Sequence, residues 1–192
     1  MKHRTISLIY GKTGSGKTTL AKELIKDFSR VIIIDSMSEY NQGLVFTSFD
    51  DLSEYILSNN IFNNDNFCLI CRFESDIEIE YLFKLVFEIT NLLLVIEEAE
   101  IYISPFAKQS NFLRLVRYGR HKNISLLGIA RRTGELSLSF RSQTDFIYSF
   151  VQTDINDLKN MENIGLTGLN ELQKYTFPGI PKENIHYKKV SF

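Results

Sequence analysis

Short, uninterrupted apolar runs alternate with longer amphipathic stretches along most of the chain. Residues 5–10, 31–35, 67–72, 92–96, 124–130 and 146–150 read as strands, with a short one at 44–47. Residues 18–28, 50–57, 77–89, 111–121 and 154–163 carry apolar positions at helical spacing. In the third of these, Ile77, Tyr81, Leu82, Leu85, Phe87 and Ile89 form the expected buried stripe. Strands that are apolar at every position are buried on both faces. Their alternation with helices predicts an α/β fold: a mainly parallel central sheet with helices on both faces. The asparagine-rich stretch 59–66 reads as a loop. The segment after Gly165, with Pro178, Gly179 and Pro181, reads as irregular and ending in a strand over 185–190. No internal repeat or long linker is visible. The expectation is one domain over 1–192, with a core at about 4–165 and a tail, 166–192, packed on it.

Between the first strand and the first helix lies Gly11-Lys12-Thr13-Gly14-Ser15-Gly16-Lys17-Thr18. It fits G-x-x-x-x-G-K-[ST] at each fixed position and sits in the required strand–loop–helix setting. Gly11, Gly14 and Gly16 open backbone conformations closed to residues with a Cβ, so that loop amides can face inward around an anion. The following helix adds the positive end of its dipole. Lys17 is expected to reach the β- and γ-phosphates, and the Thr18 hydroxyl to ligate Mg²⁺. Gly11, Lys12, Thr13, Gly14, Ser15, Gly16, Lys17, Thr18 and Thr19 are the candidate nucleotide contacts, and ATP with Mg²⁺ the expected ligands.

A second element supports the first. The strand at 92–96 ends in Glu97-Glu98. Ligands in parallel sheets sit at the carboxyl ends of the strands, so these acids fall beside the phosphate loop. Glu97 is expected in the metal shell, and Glu98 to orient and deprotonate an attacking water. Glutamate stands at the metal position where aspartate is more usual.

Composition narrows the class. Hydrophobic content of 44% and charged content of 23% are ordinary for a globular protein. No apolar stretch approaches the roughly 20 residues of a membrane helix. The chain enters its first strand almost at once, leaving no room for a secretory signal, so the cytoplasm is the expected location. Net charge is −1, which argues against a generic polyanion binder. Yet Arg114, Arg117, Arg120, His121, Lys122, Arg131 and Arg132 cluster without an intervening acid, a stripe that suits phosphate contacts. Acids gather at 50–54 and 74–80. Cys68 and Cys71 stand three apart on a strand, so they point to opposite faces. With no second pair to complete a zinc site, they read as two reduced core residues.

The run from Phe112 to Thr133 (a basic helix, Gly119-Arg120-His121, an apolar strand and a polar end) resembles the FtsK/HerA superfamily of ring-forming, DNA-pumping ATPases. The order and spacing of motifs match from Gly11 to about Phe150. The resemblance implies a RecA-like P-loop NTPase core, assembly into a homo-oligomeric ring (often a hexamer), and ATP hydrolysis at subunit interfaces. It also implies double-stranded DNA in a central channel, held through phosphates. A chain of this size looks most like the genome-packaging ATPases of internal-membrane icosahedral viruses. These work in host cytoplasm or on the virion, against a capsid or membrane vertex protein. In the superfamily a glutamine usually ends the strand after the acidic pair. Here Arg131 stands there. It cannot accept a hydrogen bond as an amide does, but it can stabilise phosphate charge as a built-in arginine finger. Arg120 matches the basic position ahead of that strand and is the candidate offered to a neighbour's ATP, with Arg117 and Arg141 as rivals. Lys108 and the loop over 104–111 are positional candidates for channel contacts.

Other readings share the core. Assembly ATPases resembling the zonula-occludens-toxin-like proteins of filamentous phages usually add a transmembrane segment, which is not seen here. Conjugative DNA pumps are a further possibility. A small-molecule kinase would carry an arginine-rich lid after the core, but the tail after Gly165 has no arginine.

Overall fold

The computed structural model describes residues 4–105 and 110–192; Lys108 and the centre of the 104–111 loop fall outside them. Among the described residues, eight strands form one sheet: β1 (Ile6–Tyr10), β2 (Arg30–Ile34), β3 (Leu44–Phe46), β4 (Phe67–Cys71), β5 (Leu92–Ile96), β6 (Ile124–Ala130), β7 (Phe146–Phe150) and β8 (Tyr187–Ser191). Their order is β3-β4-β2-β5-β6-β1-β7-β8. Every pairing is parallel except β7 with β8. The helices are α1 (Lys17–Ile25), α2 (Phe49–Ser58), α3 (Asp76–Glu88), α4 (Ala99–Tyr102), α5 (Ser110–Tyr118), α6 (Leu138–Arg141) and α7 (Ile155–Glu162).

Alternate residues of the strands feed two cores, as the pleat requires. On one face Leu8, Ile32, Ile34, Leu94 and Leu126 pack under α2, α3, α5, α6 and α7. Phe112 is the hinge of this core. Its ring meets Phe83 at 5.2 Å and Phe140, edge to face, at 5.0 Å. On the other face Ile9, Val31, Ile33, Val95 and Ile129 lie under α1 through Leu20 and Ala21. Cys68 and Cys71 divide between these faces as their spacing predicts, and both are free thiols.

Strand order matters for function. β6 is inserted between β1 and β5, with Tyr10 level with Ala130 and Ile96 level with Gly128. The turn after β1, Arg131 after β6 and Glu97 after β5 therefore emerge side by side at one end of the sheet. The acids at 50–54 and 74–80 have local roles. Asp50 and Asp51 sit in the first turn of α2, capped by Ser48, and Asp76 and Glu78 in that of α3, capped by Ser75. There they complement the positive helix end.

Some local expectations change. The buried stripe of α3 is Ile79, Leu82, Phe83, Val86 and Phe87, so Leu82 and Phe87 are buried as expected while Ile77 and Tyr81 are exposed. A stripe at i, i+3, i+4, i+7 from Ile79 leaves residues two positions earlier on the far side of the helix. The basic helix ends at Tyr118, and Gly119–Lys122 continue as a tighter 3₁₀ turn. The 59–66 loop contains a 3₁₀ turn, Ile61–Asn63, whose Ile61 is buried. The Arg30 guanidinium holds this loop by donating to the carbonyls of Asn64 (2.6 Å) and Phe62.

Candidate nucleotide site

The loop between β1 and α1 is shaped by its glycines. Gly11, Gly14 and Gly16 have φ of 153°, 71° and 103°, values that side chains with a Cβ avoid. At Gly16 space forbids a Cβ as well: it would stand 2.9 Å from the Tyr175 ring and 3.1 Å from that of Phe150. Ser15 N–H donates to the Lys12 carbonyl, closing the turn, and the Lys17 ammonium donates to the same carbonyl at 3.1 Å. Ser15 is buried with its hydroxyl unpartnered. Lys12 and Thr13 are exposed on the outer rim, and Thr18 and Thr19 follow in the first turn of α1. The first-turn amides of a helix have no partner within it, so this turn presents donors and a cation to an anion.

β5 delivers its two acids differently. Glu97 is buried and accepts from the Tyr40 hydroxyl at 2.8 Å. Burial pushes its carboxyl above the ordinary range, opposed by the Tyr40 bond, by the nearby Thr18 hydroxyl and by the Lys17 charge. Lys17 is shifted down by its own burial, against the pull of Glu97 and Glu100. Glu98 starts α4 in the left-handed region, φ 45° and ψ 50°. A side chain pays for that conformation, and such strain gathers at functional positions. Arg131 reaches across: its guanidinium donates to Glu98 Oε1 at 2.7 Å and lies 3.5 Å from Glu100 Oε1. Its backbone N–H also donates to Glu100, and its carbonyl accepts from Gln152. Thr13, Gly14, Lys17, Thr18, Glu97, Glu98, Glu100 and Arg131 line one cavity of about 130 Å³.

The residues fit a magnesium nucleotide. The glycine cradle and Lys17 suit phosphates, and the oxygens of Thr18 and Glu97 suit a hard cation. A larger cavity, about 660 Å³, lies beside α1 over β2 and β4. Its lining includes Lys22, Phe28, Tyr40 and Cys68, and it holds no carboxylate.

The remaining arginines are elsewhere. Arg120 lies beyond the amino end of β6, whose seven residues separate it by roughly 20 Å from the phosphate loop. It therefore does not reach its own chain's site. Arg141 donates to the Leu136 carbonyl and lines a cavity with Tyr10, Thr133 and Asn160 on the side of the sheet under α7. The basic stripe is partly neutralised by acids distant in sequence. Arg114 and Lys122 flank Glu88 at 3.9 and 3.3 Å. Arg132 pairs with Asp154 and Asp157 at 2.9 and 3.1 Å. Among the described residues, Arg117 and Arg120 have no ion pair.

Tyr40, Asp35, Arg72 and Glu100 escaped the sequence reading. A signal existed for Asp35: it ends the apolar run of β2 as Glu97 ends that of β5.

The parallel sheet, its strand order and the glycine turn after β1 define a P-loop NTPase core. Over residues 6–177 the sequence matches the family described as the central domain of the helicase HerA. The chain belongs to this family. No curated protein matches it by sequence. Among solved structures it is similar to the genome-packaging NTPase B204 of Sulfolobus turreted icosahedral virus 2 in complex with ATPγS (TM-score 0.67, 21% identity, 84% of this chain and 82% of the other). It is also similar to B204, the DNA-packaging ATPase of Sulfolobus turreted icosahedral virus (TM-score 0.67, 22% identity, 91% of each chain). A more distant likeness is the N-terminal domain of zonular occludens toxin from Neisseria meningitidis (TM-score 0.50, 15% identity, 80% of each chain). At these identities the likeness is one of fold. Among the described residues no helix is long and apolar enough to cross a membrane.

Proposed function

We propose that the protein is an ATP-hydrolysing DNA translocase, a subunit of a homo-oligomeric ring that packages a viral genome. The observation that carries this reading is the convergence of Lys17, Thr18, Glu97, Glu98 and Arg131 on one cavity, in a chain of the HerA family. Lys17 pairs with the β- and γ-phosphates. Thr18 and Glu97 hold Mg²⁺, which when bound neutralises phosphate charge. Glu98 orients a water and takes its proton. Arg131 shares its guanidinium between Glu98 and the developing phosphate charge. Arg120, remote from its own site, is offered to the neighbouring subunit. DNA contacts are to phosphates and indifferent to sequence, because a motor must pass every sequence.

The test is steady-state ATP hydrolysis with and without long duplex DNA across a range of salt. The expected result is stimulation by DNA that fades as salt rises. Hydrolysis indifferent to DNA at every salt overturns translocation. It would favour an assembly ATPase of the kind that the zonular occludens toxin likeness suggests. The pairing of Arg114, Lys122 and Arg132 with acids is the observation on that side, since it removes charge from the basic stripe.

A further inference from the structure

Glu97 has one more methylene, and one more torsion, than the aspartate more usual at this position. Something must fix the added freedom if its carboxylate is to meet a metal in a defined place. Among the described residues, the hydrogen-bond donor on that carboxylate is the Tyr40 hydroxyl, at 2.8 Å. Thr18, which lines the same cavity, is assigned to the metal, so Tyr40 is the group left to anchor Glu97.

Tyr40 is unusually well held for a residue in a loop. The residue is 4% exposed. Its N–H donates to Asp35 Oδ2 at 3.1 Å, and its carbonyl accepts from Arg72 Nη2 at 2.6 Å. Asp35 is fully buried and receives Arg72 Nε and Nη2 at 3.1 and 3.0 Å. It also accepts the Glu39 N–H at 2.8 Å. The Lys22 ammonium lies 5.2 Å from the centre of the Tyr40 ring and donates to the Glu39 carbonyl. Arg72, Asp35 and Glu97 follow β4, β2 and β5, which are neighbours in the sheet. The clamp therefore runs across three adjacent strand ends and finishes on Glu97.

We propose that Tyr40, locked by Asp35 and Arg72, is a positioning residue that lets glutamate serve at the metal position. It acts through Glu97 and touches neither nucleotide nor metal. The inference rests on the magnesium-nucleotide reading of this site. Groups that hold a ligating carboxylate by hydrogen bonds typically contribute 10–100-fold to metal affinity.

The experiment is a Mg²⁺ titration of the binding of a fluorescent, non-hydrolysable ATP analogue to the full chain, alongside metal-free binding and thermal melting. Tyr40→Phe should raise the Mg²⁺ midpoint by about 10-fold or more, with metal-free nucleotide binding unchanged. Glu97→Asp should also raise the midpoint, because the shorter carboxylate withdraws from the Tyr40 hydroxyl. Tyr40→Phe added to Glu97→Asp should then change little, since the two act as one unit. Equal midpoints for wild type and Tyr40→Phe overturn the inference alone, as does multiplication of the two effects. Failure of the wild type to bind the analogue in any condition overturns the nucleotide reading, and this inference with it.

Discussion

Arg131 donates to Glu98 Oε1 at 2.7 Å, so the arginine after β6 and the second acid after β5 are joined across the mouth of the phosphate loop. Glu98→Gln should keep the shape of the site and remove the base. ATP binding should stay within a few-fold of wild type, while turnover falls by about 10²–10⁴. Single-turnover hydrolysis beside equilibrium nucleotide binding distinguishes these effects, and loss of binding would make Glu98 structural.

Arg120 and the phosphate loop lie at opposite ends of β6. If Arg120 completes a neighbour's site, Arg120→Ala should bind ATP normally yet turn over about 10³-fold more slowly or worse. Lys17→Ala should be inactive in its own site while still offering Arg120. Mixing the two inactive variants should then restore a measurable fraction of hydrolysis. A mixture as inactive as its components removes Arg120 from this role.

Phe112 joins α3 and α6 through its contacts with Phe83 and Phe140 and is 1% exposed. Phe112→Ala removes a ring that nothing nearby replaces. It should cost about 3–5 kcal/mol, seen as a lower midpoint in urea denaturation. A loss under about 1 kcal/mol would mean that the surrounding core collapses into the space.

Asp154 caps α7 by accepting the N–H groups of Asn156 and Asp157 and pairs with Arg132. These bonds, the Asp157 N–H foremost, hold its carboxyl below the ordinary value. The folded form thus binds a proton less readily than the unfolded chain. The resulting stability is present above the unfolded value and lost as pH falls through the folded one. Asp154→Asn keeps a good cap and removes the charge. Its melting temperature should lie below wild type at neutral pH and converge with it in acid. A gap that persists in acid would assign the effect to cap geometry instead.

The strands and the phosphate loop were legible because each is written locally. β5 is a continuous apolar run, β2 is one after Arg30 and β6 is broken only by Ser125 and Gly128, and the glycine motif occupies eight consecutive residues. Placing Arg131 between the loop and the acids required the insertion of β6 between β1 and β5, which is a matter of topology. The Tyr40 clamp was hidden because its members stand far apart: Tyr40 and Glu97 by 57 positions, Asp35 and Arg72 by 37. The basic stripe read as unneutralised because its acids, Glu88, Asp154 and Asp157, come from other helices. In α3 the exposed Ile77 and Tyr81 misled because apolar residues on the solvent side of a helix are common enough to blur its period.

The two edges of the sheet are built unlike its centre. β3 is only three residues long, and β8 turns antiparallel to its neighbour and carries Lys188 and Lys189. A short rim and a lysine-bearing rim are poor templates for further strands. Copies of this chain are thereby discouraged from joining sheet to sheet into filaments. Contact between copies is left to helix faces and loops, whose side chains can part without unpairing backbone.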